Sequence, residues 1–328
     1  MRPSAVLAAL VAASITASCG SDAGARVIAV PADRPTIQAA VDDARPGDIV
    51  EISPGTYHEA VKVLTDGIVV RGAKVHTSVA PNVNEVFVIP TRQLGEADKD
   101  YAVAFAIPVN TPGLKLVCSS YGPPRPNAFD HPISAQHKMM ETITIFDDVF
   151  VPNDRIFMKG EWQFAGPLAR TFVEFHRYTA ISYKMPLVDL LVGAAHLVAE
   201  YNGIERASHV RDKLTWLITY AETLRALTEQ AAAKGQMDAA GVFVPDPMLV
   251  NMAKLHFADN LHRALGYVQD LSGGLLVTGP SEDDLNHPEI GPKLKHYLGA
   301  RAGSMDRMKL LNLISDLTTG DFGGYQAV

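Results

Sequence analysis

The string VEFHRYTAISYK (173–184) carries two side chains that can exchange protons, His176 and Lys184. Histidine titrates near neutral pH, which suits acid–base chemistry. Eight positions separate the two residues, so a helix would place them about two turns apart and nearly on one face, where they could converge on one pocket. A hydrogen-bonded histidine on a packed helix and an ordinary surface lysine are the alternatives.

Two further positions have side chains or backbone suited to chemistry. Glu141 opens the strand-like string ETITIF (141–146), where a carboxylate can serve as a general base or can simply be a charged residue at a strand end. The pair Gly273-Gly274 lets backbone amides approach phosphate oxygens closely. Such a pair is more often only a helix terminator.

Composition limits the classes of protein to consider. The chain has 328 residues, with 29 Lys and Arg against 36 Asp and Glu, a net charge of −7. This acidity argues against nucleic acid as a partner, and 47% hydrophobic with 20% charged residues is typical of a globular protein. Cys19 and Cys118 alone exclude a disulfide scaffold and a self-contained four-cysteine metal centre.

Residues 1–19 (MRPSAVLAALVAASITASC) resemble a lipoprotein-type signal peptide. Arg2 is followed by an uncharged, largely apolar stretch over residues 5–18, and small residues precede Cys19. The signal predicts a mature chain that starts at a lipidated Cys19 in the cell envelope, with that lipid as its only contact with a membrane. The apolar run 186–204 is interrupted by charged residues, and we expect it to be a core helix.

The segment 26–72 predicts strands at 27–30, 49–52, 61–63 and 68–70, with a short helix from Thr36. Its string TIQAAVDDARPGD…VEISPGTYHEAV resembles the cap and first rung of pectate-lyase-like right-handed β-helix proteins. No second copy follows, so a partial β-helix is the most that this segment predicts.

The remaining chain changes from strand to helix character near Gly160. β-Branched runs predict a β domain over 73–158, and helical periodicity predicts an antiparallel bundle over 161–328, with a proline break at Pro186. The fold class is therefore α+β.

Two long strings identify a family for residues 66–328. They are GAKVHTSVAPNVNEVFVIPTRQLGEADKDYAVAFAIPVNTPGLKLVC (72–118) and ETITIFDDVFVPNDRIFMKGEWQFA (141–165). Both resemble the 4-hydroxyphenylacetate 3-hydroxylase family, and its 4-hydroxybutyryl-CoA dehydratase / vinylacetyl-CoA isomerase branch most. The resemblance implies an acyl-CoA-dehydrogenase-like fold, FAD as cofactor, a homo-oligomer formed through the bundle, an acyl-CoA or phenolic substrate, and a cytoplasmic type of enzyme.

The resemblance also implies roles for individual residues. The matched catalytic positions are His176, Lys184 and Glu141. The matched flavin positions are Thr77, Gly273, Gly274, Phe322, Gly323 and Gly324, the last three in the string TGDFGGY (319–325). In the family the threonine lies near flavin N5, where a hydroxyl tunes the ring by hydrogen bonding.

The dehydratase branch holds a [4Fe-4S] cluster with three cysteines and a histidine, and here the resemblance is incomplete. His176 matches the histidine, but Tyr183 stands where a cysteine follows, and Ala180 replaces an active-site tyrosine. A phenol is a poor ligand for such a cluster. We therefore expect no cluster, weak or absent FAD binding, and an enzyme module that lacks the family's N-terminal domain and its C-terminal catalytic glutamate.

Three hypotheses follow. The chain is a flavin-dependent oxidoreductase or lyase module, an inactive chimeric or scaffold fragment, or an envelope β-helix protein that binds or cleaves carbohydrate. An export signal and a cytoplasmic type of flavoenzyme do not share a compartment. The string TDGIVVRGA (65–73) resembles both a β-helix strand and the flavoenzyme strand before KVHT. We therefore interpret the chain as a fusion of the two families at this point.

Overall fold

The computed structural model describes residues 7–9, 14–16, 26–44, 49–52, 55–57, 66–119, 127–137 and 140–327. The chain divides into two compact units. The first, here the β unit, comprises Met1–Cys118 with Glu141–Ala165, and the second, the helical unit, comprises Ser119–Met140 with Gly166–Val328.

Two small sheets and a short helix lie in the N-terminal part of the β unit. The elements are β1 (Leu7–Ala9), β2 (Ser14–Thr16), β3 (Val27–Val30), α1 (Ile37–Asp43), β4 (Ile49–Ile52) and β5 (Gly55–Tyr57). One sheet has the order β2-β4-β3, and the other consists of β1 and β5. Strands β3 and β4 are parallel, β2 adds antiparallel to β4, and β1 pairs with β5. Thr36 caps the N-terminus of α1, because its side chain accepts a hydrogen bond from the amide of Ala39 at 3.0 Å.

The predictions for this segment have different outcomes. Strands β3 and β4 and helix α1 lie where the sequence places them. The β-helix interpretation gains no support, because the described residues of this segment form one parallel strand pair with a single antiparallel strand beside it, and no stack of parallel rungs. The predicted strand at 61–63 and the predicted lipidation residue Cys19 lie outside the described residues.

Two three-stranded antiparallel sheets make up the rest of the β unit. The first has the order β6 (Gly67–Ser78), β10 (Glu141–Pro152), β9 (Leu114–Cys118), and the second has the order β11 (Ile156–Lys159), β8 (Val103–Pro108), β7 (Glu85–Val88). Alternate residues point inward, as the period of a strand requires. Both sheets contribute to one core, in which Phe105 and Phe146 meet edge to face at 6.0 Å.

The strands β6 and β10 are longer than the sequence indicated. The prediction of separate runs at 141–146 and 149–151 is wrong, because β10 continues through Asp147 and Asp148 as a bulge. Asp148 has a left-handed φ of 54° there. Two hydrogen bonds of 2.7 Å from the Arg71 guanidinium hold its carboxylate and lower its pKa. A bidentate hydrogen bond of this kind stabilises the left-handed backbone conformation of Asp148, which is uncommon in a strand outside a bulge.

The helical unit is built from α2 (Ala165–Asn202), α3 (Ser208–Ala233), α4 (Pro247–Ser272), α5 (Leu275–Thr278), α6 (Glu282–Asn286), α7 (Gly291–Tyr297), α8 (Ser304–Thr318) and α9 (Asp321–Ala327), with a short hairpin of β12 (Gln236–Met237) and β13 (Phe243–Val244). Helices α3 and α4 are antiparallel, since Lys213 pairs with Asp270 while the amide of Asp246 donates to Ala231 O. The predicted change from strands to helices is confirmed, and the helical half disfavours the β-helix carbohydrate hypothesis.

Helix α2 is continuous, so the predicted break at Pro186 is wrong. A proline removes one backbone hydrogen bond, and burial on both sides of it, at Ile181 and Val188, holds the helix together. Among the described residues, only this helix, over Trp162–Asn202, is long and apolar enough to cross a membrane. Its Leu191, Ala195 and Val198 lie in the core of the helical unit.

Candidate functional site

In the β unit, the residues that could do chemistry lie where β6 ends and β10 begins. Thr142 is opposite Thr77, and its hydroxyl donates to Thr77 O at 2.9 Å. The hydroxyl of Thr144 donates to Thr77 Oγ1 at 3.0 Å. Because Thr77 Oγ1 already accepts a hydrogen bond, its own proton can be donated to a ligand, and no described residue accepts it.

Glu141 lies beside this group of threonines and approaches a residue that the sequence analysis did not select. A register shift between Thr142 and Ile143 leaves His76 at a bulge, and its Nδ1 lies 3.2 Å from Glu141 Oε2. The Glu141 side chain is 14% exposed and that of His76 is 64% exposed. The sequence feature that points to His76 is its position directly before Thr77 in the string KVHTS.

In the helical unit, Lys184 is a buried cation. The residue is 7% exposed, and its Nζ donates to the backbone oxygen of Gln326 in α9 at 2.6 Å. Nζ also lies 5.4 Å from the centre of the Phe257 ring. Among the described residues, no carboxylate forms an ion pair with Lys184. Burial, with a smaller contribution from the charge of Lys254, lowers the pKa of Lys184 to about 8.

His176 and Lys184 differ in their surroundings although they share α2. His176 is exposed, and its ring stacks on Phe172 with the ring centres 5.3 Å apart. Eight residues of helix rotate by about 80° beyond two full turns, which is enough to move a side chain from the surface to the core. Tyr183, at the position of the missing cysteine, is 54% exposed.

The glycines matched to flavin contacts have separate structural roles. Gly273 ends α4 with a φ of +73°, a conformation that favours glycine, and its amide donates to Gln269 O. Gly274 precedes α5 with ordinary helical angles. Gly323 packs so closely that a Cβ would lie 2.3 Å from Leu317 O, whereas a Cβ on Gly324 would meet nothing within 4 Å. Phe322 lies beside them in α9. Their roles in flavin binding stay predictions.

We expect Gly323→Ala to destabilise the protein by about 1–3 kcal/mol, because the added methyl group forces α9 away from the end of α8. Gly324→Ala is the matched control in the same helix. It should be neutral or stabilising by up to about 1 kcal/mol through helix propensity. Urea unfolding of both variants measures the difference, and equal stabilities would contradict the close packing at Gly323.

The described residues contain no group of three or more His, Cys, Asp or Glu side chains that could hold a metal ion. At the two described positions that match cluster ligands, the chain has the exposed imidazole of His176 and the exposed phenol of Tyr183, and a phenol does not fit an iron–sulfur cluster. The described cysteine, Cys118, is exposed at the end of β9 in the β unit.

Comparison with known proteins identifies the family. The sequence profile of the 4-hydroxyphenylacetate 3-hydroxylase C-terminal domain matches residues 165–328, and that of the N-terminal domain matches residues 32–158. The chain belongs to the 4-hydroxyphenylacetate 3-hydroxylase family. The N-terminal match also includes residues 32–65, which the sequence analysis compared with a β-helix cap.

Individual relatives agree with this assignment. The chain is 38% identical over 281 residues to a 4-hydroxybutyryl-CoA dehydratase/vinylacetyl-CoA-Delta-isomerase of Clostridium aminobutyricum, covering 81% of this chain and 57% of that protein. It is 34% identical to the oxygenase component of a 4-hydroxyphenylacetate 3-monooxygenase of Thermus thermophilus, covering 81% and 56%. The chain therefore spans a little over half the length of these relatives.

Solved structures of the family share the fold. An archaeal 4-hydroxybutyryl-CoA dehydratase from N. maritimus is similar with a TM-score of 0.74 at 35% identity, covering 81% of this chain and 54% of that one. The oxygenase component HpaB, in a complex with FAD and 4-hydroxyphenylacetate, is similar with a TM-score of 0.76 at 31% identity, covering 81% and 56%. The chain therefore shares the fold of the solved structures of the 4-hydroxyphenylacetate 3-hydroxylase family.

Proposed function

We propose that this chain is the flavin-binding, proton-transferring part of an enzyme of this family, with Lys184 as its base. The burial of Lys184 without a carboxylate partner among the described residues carries the proposal. An amine with a pKa of about 8 is neutral in roughly a tenth of the molecules at pH 7, far more than an ordinary lysine, and this neutral form can accept a proton.

The reaction that we favour is isomerisation of an acyl-CoA of the vinylacetyl type. The proton on the carbon next to a thioester is acidic. A base that takes this proton and returns it two carbons further along moves the double bond, with no net change in atoms or electrons. Lys184 can serve as that base because its buried position keeps water from competing for the proton.

Hydroxylation of a phenol is the second candidate, and the monooxygenases among the relatives favour it. Here the same amine would accept the phenolic proton and so make the ring more electron-rich. The two candidates share the base and differ in whether oxygen is consumed.

FAD is the cofactor that we propose for either reaction, and one HpaB structure holds it. Thr77 fits this group, because its hydroxyl proton can be donated to a ring nitrogen while Thr144 holds the oxygen in place. Glu141, whose carboxylate lies beside His76, supplies an acidic group at the same end of strands β6 and β10. When bound, the flavin would supply electron transfer. Weak FAD binding in the isolated chain remains part of the proposal.

Dehydration of 4-hydroxybutyryl-CoA is not proposed, since Tyr183 and His176 do not form a cluster site.

We propose a homo-oligomer formed through the helical unit. An apolar groove of about 640 Å³ supports this, lined by Ile218, Ala226 and Leu249 among others. Envelope export through residues 1–19 with lipidation of Cys19, and a fusion origin, also stay proposals.

To test this proposal, the chain is titrated with FAD and then assayed in two separate reactions. The first is vinylacetyl-CoA isomerisation, and the second is 4-hydroxyphenylacetate hydroxylation, which is supplied with reduced flavin and oxygen. We expect Lys184→Met to lower turnover at least about 100-fold while FAD absorbance and affinity stay unchanged. Activity should rise with pH through about 8, where the amine becomes neutral. FAD binding without turnover in either assay would favour the inactive scaffold.

A further inference from the structure

One end of the helical unit, where the loop between α2 and α3 meets the loop between α7 and α8, concentrates positive charge. Residues 291–309 contain five Lys and Arg against one Asp, although the whole chain has a net charge of −7. The two loops are in contact, because the amide of Ala302 donates to Tyr201 O at 3.2 Å. The function proposed above uses none of these residues.

A single carboxylate is shared by two of the cations at this end. Glu205 Oε1 lies 2.7 Å from Arg301 Nη1 and 3.9 Å from Arg206 Nε. Arg307 donates instead to the neutral Asn202 Oδ1 at 2.8 Å, and no carboxylate within the described part of the chain pairs with it. The Arg206 side chain is 95% exposed and that of Arg301 is 57% exposed. Positive charge therefore remains uncompensated on the surface.

Two lysines of α7 extend this positive charge. Lys293 and Lys295 are exposed, and among the described residues no carboxylate forms an ion pair with either. Helix α7 leads directly into the loop that holds Arg301. We call Arg206, Lys293, Lys295 and Arg301 the basic surface. Helices α3 and α8 begin beside it without side-chain caps, so their positive ends add to its potential.

The composition of this end fits a lipid surface better than a protein partner. Lysine is depleted from protein–protein interfaces, yet two of the four cations are lysines. Tyr297, the last residue of α7, is 80% exposed beside them, with its ring edge to face against His296 at 4.8 Å. Exposed tyrosine next to lysine and arginine is typical of proteins that contact the headgroup layer of a membrane. The acidity of the whole chain disfavours nucleic acid.

We propose that the basic surface binds anionic phospholipid headgroups, with the Tyr297 ring in the headgroup layer. Lysine and arginine near a negatively charged bilayer are each attracted to it. The lipid anchor proposed at Cys19 would keep the surface close to the headgroups and so raise their effective concentration. Binding of this kind requires neither flavin nor turnover, and so goes beyond the proposed function.

Co-sedimentation of the full chain with lipid vesicles tests the basic surface. Cys19→Ser is included in every variant, so that no lipid anchor contributes. We expect vesicles of phosphatidylglycerol with phosphatidylcholine to bind at least about 30-fold more tightly than phosphatidylcholine alone, since each cation near an anionic bilayer contributes about fivefold. Salt at about 1 M should remove this preference, because it shortens the Debye length to about 3 Å.

A pair of charge-matched double variants locates the binding surface. Arg206→Gln with Lys295→Gln should weaken binding to the anionic vesicles about 30-fold. Arg170→Gln with Lys234→Gln removes the same charge and should leave binding unchanged. Both control residues are exposed at the opposite end of the bundle, near the start of α2 and at the end of α3, and α3 alone is about 39 Å long.

An equal loss in the two double variants would overturn the proposal, because net charge rather than the basic surface would then control binding. Equal affinity for the two kinds of vesicle would overturn it as well. So would an affinity for a duplex oligonucleotide or for polyglutamate that exceeds the affinity for the anionic vesicles, since the surface would then serve another class of partner. Because flavin is omitted, a negative result leaves the flavin proposal standing.

Discussion

Replacing Lys184 with methionine is expected to stabilise the protein at neutral pH. The folded pKa of about 8 lies below the ordinary value of 10.5, so at pH 7 the folded state holds a proton that burial disfavours. The difference corresponds to about 3 kcal/mol. Loss of the hydrogen bond to Gln326 removes about 1 kcal/mol, which leaves a net gain of about 2 kcal/mol.

The pH dependence of this gain follows from linkage. The unfolded chain binds the proton more readily, so the stability of the native protein rises with pH between about 8 and 10.5. The advantage of Lys184→Met should therefore be complete below pH 8 and absent above about 10.5. Urea unfolding across this range measures it, with Lys309→Met, an exposed lysine of α8, as control. A difference that does not change with pH would contradict the account.

Replacing Asp316 with alanine should cause the largest loss of stability among the changes considered. Asp316 is 5% exposed in α8, and its Oδ2 accepts hydrogen bonds from the amides of Ile133 and Ser134 at 2.9 and 2.7 Å. Both amides would lose their acceptor, and Ser134 is itself buried. We expect a loss of about 3 kcal/mol in the free energy of unfolding.

The matched variants for this prediction are Asp316→Asn, which keeps one acceptor oxygen and should lose about 1 kcal/mol, and Asp306→Ala at the exposed start of α8. Asp306→Ala should lose less than about 1 kcal/mol. Hydrogen exchange of the Ser134 amide should accelerate in Asp316→Ala alone. If all three variants are equally stable, Asp316 does not anchor the loop over residues 127–137.

Local signals account for the parts of the fold that the sequence predicts well. Helix α4 was predicted at 247–271 and spans Pro247–Ser272, because Asp246 caps its first turn and Gly273 ends it. Strand β9 lies at the predicted 114–118. By contrast, the extension of β6 through Ser78 escaped prediction, because its polar residues mask the strand pattern.

The sequence predicted the candidate site only in part, for a physical reason. Family resemblance selects Lys184, but the carbonyl that holds its amine belongs to a residue 142 positions away. Lys254, whose charge lowers the same pKa, comes from another helix. Contacts of this kind depend on tertiary packing, which no local pattern encodes. For the same reason the burial of Lys184 and the exposure of His176 could not be distinguished from their spacing in the sequence.

A direct titration of Lys184 tests the central claim of a buried base. In protein labelled with 13C-lysine, the Cε signal of Lys184 is assigned by its absence from Lys184→Met and followed from about pH 6 to about pH 11. We expect a midpoint at a pH of about 8, which rises when Lys254 is replaced by methionine. A midpoint near the ordinary 10.5, unchanged in the Lys254 variant, would contradict it.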